Sequence, residues 1–186
     1  MFRRLKSSFQ HLFTIDYSPR PEQQSYLERS QTQETPLARV TAAVLSSKES
    51  REHFGVGLAR KSIQPVYLKI ENRGRTPLRL YVLDIDPHYY TPLEAAGLCH
   101  FSVLKRFSAF GLIAWLFFPI VLLVIPSKLI FAAFANGRMD ELFQGEAFPL
   151  RPIPPGETAQ GFIYTTLDAG SKTVRVCLYD TGGVGT

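Results

Sequence analysis

Residues Phe107 to Ala135 read F-S-A-F-G-L-I-A-W-L-F-F-P-I-V-L-L-V-I-P-S-K-L-I-F-A-A-F-A, and Lys128 is the one charged residue among them. As a helix, the uncharged part from Phe107 to Ile125 would be about 28 Å long, which is close to the thickness of the hydrocarbon core of a bilayer. A central helix of a soluble protein is the alternative, but such helices are usually shorter and a small core covers them with difficulty. The stretch therefore predicts a membrane insert at residues 107–135.

Two prolines divide this insert. Pro119 and Pro126 break or kink a helix, which leaves arms at residues 107–118 and 127–135. Each arm would be about 14 to 18 Å long, enough for one leaflet of a bilayer and too short for two. The residues expected to contact lipid are Phe107, Trp115, Phe118, Pro119, Leu123, Pro126 and Phe131.

The predicted strands on both sides of the insert favour a hairpin over a single crossing. A single crossing would separate these strands by the bilayer, and they would be unable to pair. The residues after the insert supply mainly one hairpin, and an isolated hairpin is marginal in water. Lys105, Arg106 and Arg138 flank the insert and favour cytoplasmic ends, so the expected location is the cytoplasmic face of a membrane.

Composition and charge agree with a membrane-associated domain. The chain has 186 residues, of which 45% are hydrophobic, and its net charge of +5 suits an anionic partner. The basic residues are spread along the chain without an RNA-binding or helix-turn-helix motif, so the expected partner is membrane lipid and not nucleic acid. Cys99 and Cys177 are too few for a disulfide scaffold or a zinc site, and a single bridge between them stays open.

The residues before the first strand fall into two predicted segments. Residues 1–15 carry Arg3, Arg4 and Lys6 beside apolar residues at helical spacing, which fits a basic amphipathic helix on anionic lipid or a short helix packed on its own domain. These residues lack the uninterrupted apolar run of a secretory signal. Residues 16–36 begin with two prolines and several polar residues, which predict an extended linker.

The remaining residues predict a mainly β domain. We expect a strand from Leu37 to Leu45, a helix capped by Ser47 and ended by Gly55, and a strand from Gln64 to Asn72 that forms a hairpin with residues 78–85. A short helix should start at Thr91, and a polar helix should follow the insert from Asn136.

Further strands are expected near Phe148, from Thr158 and from Lys172. Together the pattern predicts an immunoglobulin-like antiparallel β-sandwich at residues 37–186, interrupted by the apolar insert as a helical hairpin or transmembrane segment. The core residues expected from the alternation are Val66, Leu68, Ile70, Leu80, Val82, Phe162, Val174, Val176 and Leu178.

The best candidate for a metal site is D-I-D-P-H, because an extended chain would point Asp84, Asp86 and His88 to one side. Pro87 weakens this interpretation, since aspartates that precede a proline at a strand end more often cap a turn. No serine lies in a G-x-S-x-G motif, and the glycines lack the setting of a phosphate-binding loop. We therefore expect no enzyme and no cofactor.

Three pieces of the chain, R-V-T-A-A-V-L-S-S-K-E-S-R-E-H-F-G-V-G-L, I-Q-P-V-Y-L-K-I-E-N-R and I-P-P-G-E-T-A-Q-G-F-I-Y-T-T-L-D-A-G-S-K-T-V-R-V, resemble an uncharacterised family of bacterial envelope-associated β-sandwich proteins. The resemblance implies fold and bacterial origin but no activity. With it, we expect a membrane-anchored, non-catalytic binding or accessory module with a membrane or envelope protein as partner. Lipid binding or handling is the alternative, and a metal-dependent enzyme is less favoured.

Overall fold

The computed structural model describes residue 15 and residues 17–102, 118–168, 170 and 172–181, with only the backbone for residues 118–124. The predicted amphipathic helix at residues 1–15 lies almost wholly outside this part. Antiparallel strands and three α-helices make up the described residues, so the fold is mixed and not purely β.

The main sheet has four antiparallel strands in the order β1-β2-β3-β5. Their bounds are β1 Gln31–Glu34, β2 Ala38–Val44, β3 Ile63–Asn72 and β5 Thr158–Thr166. The predicted strands at residues 37–45, 64–72 and from Thr158 are therefore confirmed. The predicted linker at residues 16–36 contains β1 and a 3-10 helix, Ser25–Arg29.

A second, two-stranded sheet pairs β4, Leu78–Leu80, with β6, Leu178–Asp180. The predicted hairpin between β3 and residues 78–85 is therefore wrong, because β3 pairs with β2 and β5 instead. Asn72 turns the chain out of the main sheet, since its amide donates to the carbonyls of Thr76 and Ile153, each at 2.8 Å. In place of the strand predicted near Phe148, the described residues have two isolated bridges, one between Ala147 and Phe162 and one between Ile153 and Leu78.

One hydrophobic cluster lies between the two sheets. Side chains alternate along a strand, and Val66, Leu68 and Ile70 of β3 are fully buried on this face against Leu80 and Ile153. Phe162 is also buried, but it belongs to the other face of the main sheet. Val174, Val176 and Leu178 pack against this cluster but are only partly buried, so this portion of the predicted core is confirmed in part.

A second cluster covers the opposite face of the main sheet. Three helices contribute to it: α1, Ser47–Phe54; α2, Pro92–Cys99; and α3, Phe118–Gly145. Tyr67 of β3 packs against this cluster from the sheet. The main sheet is therefore covered on both faces.

The two short helices start with capping boxes. In α1 the Ser46 side chain accepts from the backbone N–H of Glu49, and the Glu49 carboxylate accepts from the backbone N–H of Ser46. The N-cap is therefore Ser46 and not Ser47 as predicted. In α2 Thr91 and Glu94 form the same pair, as the helix predicted from Thr91 requires. Gly55 ends α1 with φ of 71°, a conformation that favours glycine.

Helix α3 replaces the two separate helices that the sequence predicted after Pro119. It runs without interruption through Pro126 and through the polar residues that follow Ala135. Pro126 thus does not separate the second predicted arm, residues 127–135, from the residues before it, and the break predicted at this proline is wrong. The first predicted arm, residues 107–118, lies outside the described part except for Phe118, at which α3 begins.

Candidate functional site

The side chains of α3 that face the domain are spaced three or four residues apart. Ala132, Ala135, Met139 and Phe143 are buried on this side, and they pack with the buried residues of α1, α2 and β5. The ring of Phe143 stacks on Tyr164 with the centroids 5.2 Å apart, and the Tyr164 hydroxyl donates to the Phe143 carbonyl at 2.9 Å. This contact fixes the C-terminal part of α3 on the sheet.

The outward side of α3 changes character along the helix. Beyond Asn136 it is polar, with Arg138, Glu141 and Gln144 exposed. Before Asn136 it is apolar: Phe134 is 70% exposed and Phe131 is 42% exposed. We call Ile125–Ala135 the apolar segment of α3; its other large exposed side chains are Leu129 and Ile130.

Exposed apolar side chains that lie together on one helix commonly mark a surface for lipid or for another protein. Lys128 is the one charged residue of the apolar segment. Among the residues whose placement is described, no helix is both long enough and apolar enough to cross a membrane.

Four residues tie the end of α2 to the middle of α3. The Phe101 backbone N–H donates to Oδ1 of Asn136 at 2.8 Å, and Nδ2 of Asn136 is 3.4 Å from the Phe101 carbonyl. Nε2 of His100 lies 2.8 Å from Oδ1 of Asp140, one turn further along α3. We call these four residues the clasp. It joins the two sides of the predicted insert at the point where α3 changes from apolar to polar.

Tyr17 packs beside the clasp. Its ring lies 6.3 Å from the ring of Phe101, and the Arg138 guanidinium lies 5.8 Å from its centroid. Burial raises the pKa of Tyr17 to about 12, although the nearby Arg138 charge opposes this rise. The first segment of the described chain is therefore packed against the level of α3 at which the apolar segment ends.

The predicted lipid contacts are only partly visible. Phe107 and Trp115 lie outside the described residues, and Phe118, Pro119 and Leu123 lie in α3 where only the backbone is described. Pro126 and Phe131 are exposed on α3. The clasp was not predicted from the sequence. The one local signal for it is Asn136, the first polar residue after the apolar stretch.

The three residues of D-I-D-P-H do not converge. Asp84 accepts from the Tyr179 hydroxyl at 3.1 Å, whereas Asp86 accepts from the backbone N–H of His88 at 2.8 Å and so caps its own turn. His88 is exposed. Within the described part of the chain, no three histidine, cysteine or acidic side chains are arranged to hold a metal ion.

Asp86 instead belongs to a buried polar network. Its Oδ2 accepts from the N–H and from the hydroxyl of Thr166, both at 2.7 Å, and lies 3.7 Å from Nζ of Lys172. Lys172 also donates to the Thr166 carbonyl at 2.6 Å. Burial opposes ionisation of Asp86, but the hydrogen bonds from Thr166 and His88 and the Lys172 charge hold the pKa of its carboxyl below the usual range. The network joins the end of β5 to two loops.

A second set of titratable groups lies under α1. His53 is 1% exposed and is surrounded by the rings of Tyr26, Phe54 and Phe162. Its Nε2 is 3.4 Å from Oε2 of Glu146, which suits an ion pair in distance but does not make a hydrogen bond. Burial, together with the Glu146 charge, raises the pKa of Tyr164 well above its usual value.

His53 is buried too deeply for its imidazole to contact a substrate. The hydroxyl of Ser50, one turn earlier in α1, is also buried and has no hydrogen-bond partner among the described residues. A nucleophilic pair would need an open path and a serine–histidine hydrogen bond, and neither is present between these two side chains. The geometry of His53 is that of a core residue.

Both cysteines are free thiols and do not form a bridge. Cys99 ends α2 and packs against the helical cluster. Burial raises the pKa of Cys99 to about 11, so its reactive thiolate is scarce at neutral pH. Neither position therefore points to redox chemistry or to metal binding.

Comparison of the chain with protein-family models, with curated proteins and with solved structures found no match.

Proposed function

We propose that this chain is a non-catalytic binding module held at a membrane surface by the apolar segment of α3. The observation that carries the proposal is the exposure of Leu129, Ile130, Phe131 and Phe134 on one helix. Burying one such side chain is worth roughly 1.5–3 kcal/mol, so leaving several of them in water is costly. A lipid leaflet removes this cost, and the uncharged sequence that precedes α3 suits the same environment.

The clasp supports an insert that enters and leaves on one side. Phe101 precedes the apolar stretch and Asn136 follows it, yet the two residues are hydrogen-bonded. A single crossing between them would place them on opposite sides of the bilayer. The basic residues at both ends, Lys105, Arg106 and Arg138, support the cytoplasmic face of a bacterial inner membrane as the location.

We also infer an immunoglobulin-like sandwich as the finer description of the fold. Two antiparallel sheets with an apolar layer between Val66, Leu68 and Leu80 support it. The helices that cover the other face of the main sheet are additions to such a plan. The resemblance to bacterial envelope proteins remains a prediction.

Strand β1 supports the binding role. It lies at the edge of the main sheet, and all four of its residues, Gln31–Glu34, are exposed. An exposed edge offers unpaired backbone groups to a strand of another protein. We therefore infer a membrane or envelope protein as the partner, docked on β1. The titratable groups described above, buried around His53 or held in the Asp86 network, favour binding over catalysis.

Lipid handling would need an apolar cavity between the two sheets. In the described residues this space is filled by the cluster around Leu68 and Ile163. The contacts therefore favour a lipid-anchored module over a lipid carrier.

Vesicle flotation tests the anchor. We expect the full chain to float with phosphatidylcholine vesicles and the Phe131→Glu/Phe134→Glu variant to stay at the bottom of the gradient, because each charge would have to enter the leaflet. Leu150→Glu is the matched control: Leu150 is also exposed, at 46%, but it lies in the loop after α3. This control should float like the unchanged chain.

Two results would contradict the proposal. The first is equal flotation of the Phe131→Glu/Phe134→Glu variant and the control, with circular dichroism unchanged in both. The second is that the unchanged chain stays at the bottom of the gradient and sediments as a dimer, whereas the double variant sediments as a monomer. That result would assign the apolar segment to contact with a second copy of the chain.

The partner is tested by crosslinking. A photoreactive residue at Gln33 should give a discrete protein adduct in cells, and the same residue at Arg151 should not.

A further inference from the structure

A polar cleft lies where the start of the described chain crosses the C-terminal end of α1. Its volume is about 350 Å3, it is open to solvent, and it is lined by Ser18, Arg20, Arg51, Glu52 and Gly55. The backbone N–H of Arg20 donates to the carbonyl of Glu52 at 2.9 Å, which fixes this crossing on the helix. We call this site the arginine cleft.

The charges of the cleft leave positive charge for a ligand. Arg20 and Arg51 form no ion pair with any carboxylate among the residues the structure describes, in contrast to Arg29, Arg39 and Arg73, which are paired. Glu52, the one acidic residue of the lining, lies 3.9 Å from Nζ of Lys48. Arg51 is in the last turn of α1, where the helix dipole favours a cation, but the dipole does not require two arginines to line one cleft. Such an arrangement suits an oxyanion, above all a phosphate.

The cleft is one side chain away from the clasp. Gly55 forms part of its wall, and a Cβ built on Gly55 would be 3.0 Å from the Tyr17 ring. The other neighbours of that ring are Phe101 and Arg138, at the level where α3 changes from apolar to polar. With the apolar segment in a leaflet, this level is the headgroup region.

We propose that the arginine cleft binds the phosphate of an anionic phospholipid headgroup. The inference rests on the membrane association proposed above and adds a second, charge-selective contact to it. An apolar anchor with one basic contact to the surface gives firmer attachment than either alone.

Two vesicle compositions test this and separate the two proposals. Binding to vesicles of phosphatidylcholine alone depends on the apolar segment. Binding to vesicles that also contain the anionic phosphatidylglycerol depends on both the apolar segment and the arginine cleft. Arg20→Gln/Arg51→Gln should lower the affinity for phosphatidylglycerol-containing vesicles by roughly tenfold or more and leave the affinity for phosphatidylcholine unchanged. The matched control is Arg75→Gln/Arg151→Gln, which removes the same charge from exposed arginines near the opposite end of β3. It should lose less than about threefold.

The proposal is overturned if both double variants lose the same affinity, because this is the result of net charge without a site. It is also overturned if the cleft variant binds like the unchanged chain. Shifts of the Gly55 amide resonance on titration with inorganic phosphate, without vesicles and saturating below millimolar concentration, would assign the cleft to a free anion instead. If the unchanged chain does not bind phosphatidylcholine vesicles, both the proposed membrane anchor and the proposed headgroup site are overturned.

Discussion

Phe101 and Asn136 are 35 positions apart in the sequence, and two hydrogen bonds hold them together across the base of the predicted insert. The His100–Asp140 contact lies beside them and secures the same junction. Since these residues flank the apolar stretch, the folded domain fixes where the stretch starts and where it ends. Any arrangement of the insert in a membrane has to keep both positions on one side.

We therefore predict that single cysteines at Ser102 and Arg138 are labelled from the same face of the membrane. The background for this experiment is Cys99→Ala/Cys177→Ala, which removes both free thiols. A membrane-impermeant maleimide should modify both positions in opened inner-membrane vesicles and neither in intact cells. Labelling of the two positions from opposite faces would mean a single crossing and would falsify the hairpin.

The two parts of α3 should differ in how much stability they lose on the same substitution. Phe143→Ala removes a fully buried ring that stacks on Tyr164, and it should lower the free energy of unfolding by about 3–5 kcal/mol. Phe131→Ala removes a ring that already faces solvent, so its effect on unfolding should stay within about 0.5 kcal/mol. Urea unfolding followed by circular dichroism measures both. A large loss of stability for Phe131→Ala would show that the apolar segment is part of the folding core.

The main sheet could be predicted from the sequence where a single strand carries its own pattern. Val66, Leu68 and Ile70 alternate along β3 and are buried as expected. The partner of β3 could not be predicted, because the turn after Asn72 looks like a hairpin turn although the Asn72 amide directs the chain to the second sheet. Local patterns identify strands, whereas pairing depends on contacts between distant residues.

The helical layer escaped prediction for a related reason. Tyr67 is amphipathic enough to face either water or a partly covered surface, and its half-burial follows from its packing against the helical cluster. On the same face, Lys69 and Glu71 are paired with each other, so their charges gave no sign of the helices. Pro126 was an equally ambiguous signal, because a proline can be kept within a helix. The clasp and the arginine cleft join residues from separate elements, so no spacing in the sequence marks them.

Gly161 should tolerate no side chain. A Cβ at this position would lie 2.6 Å from the backbone nitrogen of Phe148 and 2.7 Å from the carbonyl of Ala147, and both are backbone atoms that cannot move aside independently. We expect Gly161→Ala to lower the free energy of unfolding by at least about 2 kcal/mol. Thermal or urea unfolding measures the change.

Gly137 is the matched control for this substitution. A Cβ there meets nothing within 4 Å, and the residue lies inside α3. Gly137→Ala should therefore raise stability by about 0.5–1 kcal/mol, because alanine favours the helix. Equal effects of the two substitutions would contradict the close approach of β5 to the segment around Ala147.

Asp86 should stabilise the fold through its charge, in a manner that depends on pH. Asp86→Asn removes the buried carboxylate that accepts from Thr166 and His88, and it leaves the Lys172 ammonium with the more exposed Asp168 as its carboxylate partner. We expect a loss of about 2–3 kcal/mol, against at most about 1 kcal/mol for Asp168→Asn, whose side chain is 51% exposed. The pKa of Asp86 is lowered by folding, so its contribution is present above the unfolded value of about 3.9 and disappears as the pH falls through the lower, folded value. The urea midpoint of the unchanged chain should thus fall more steeply below about pH 4 than that of Asp86→Asn. Parallel pH profiles for the two proteins would mean that the carboxyl of Asp86 acts as a hydrogen-bond acceptor whose charge does not matter.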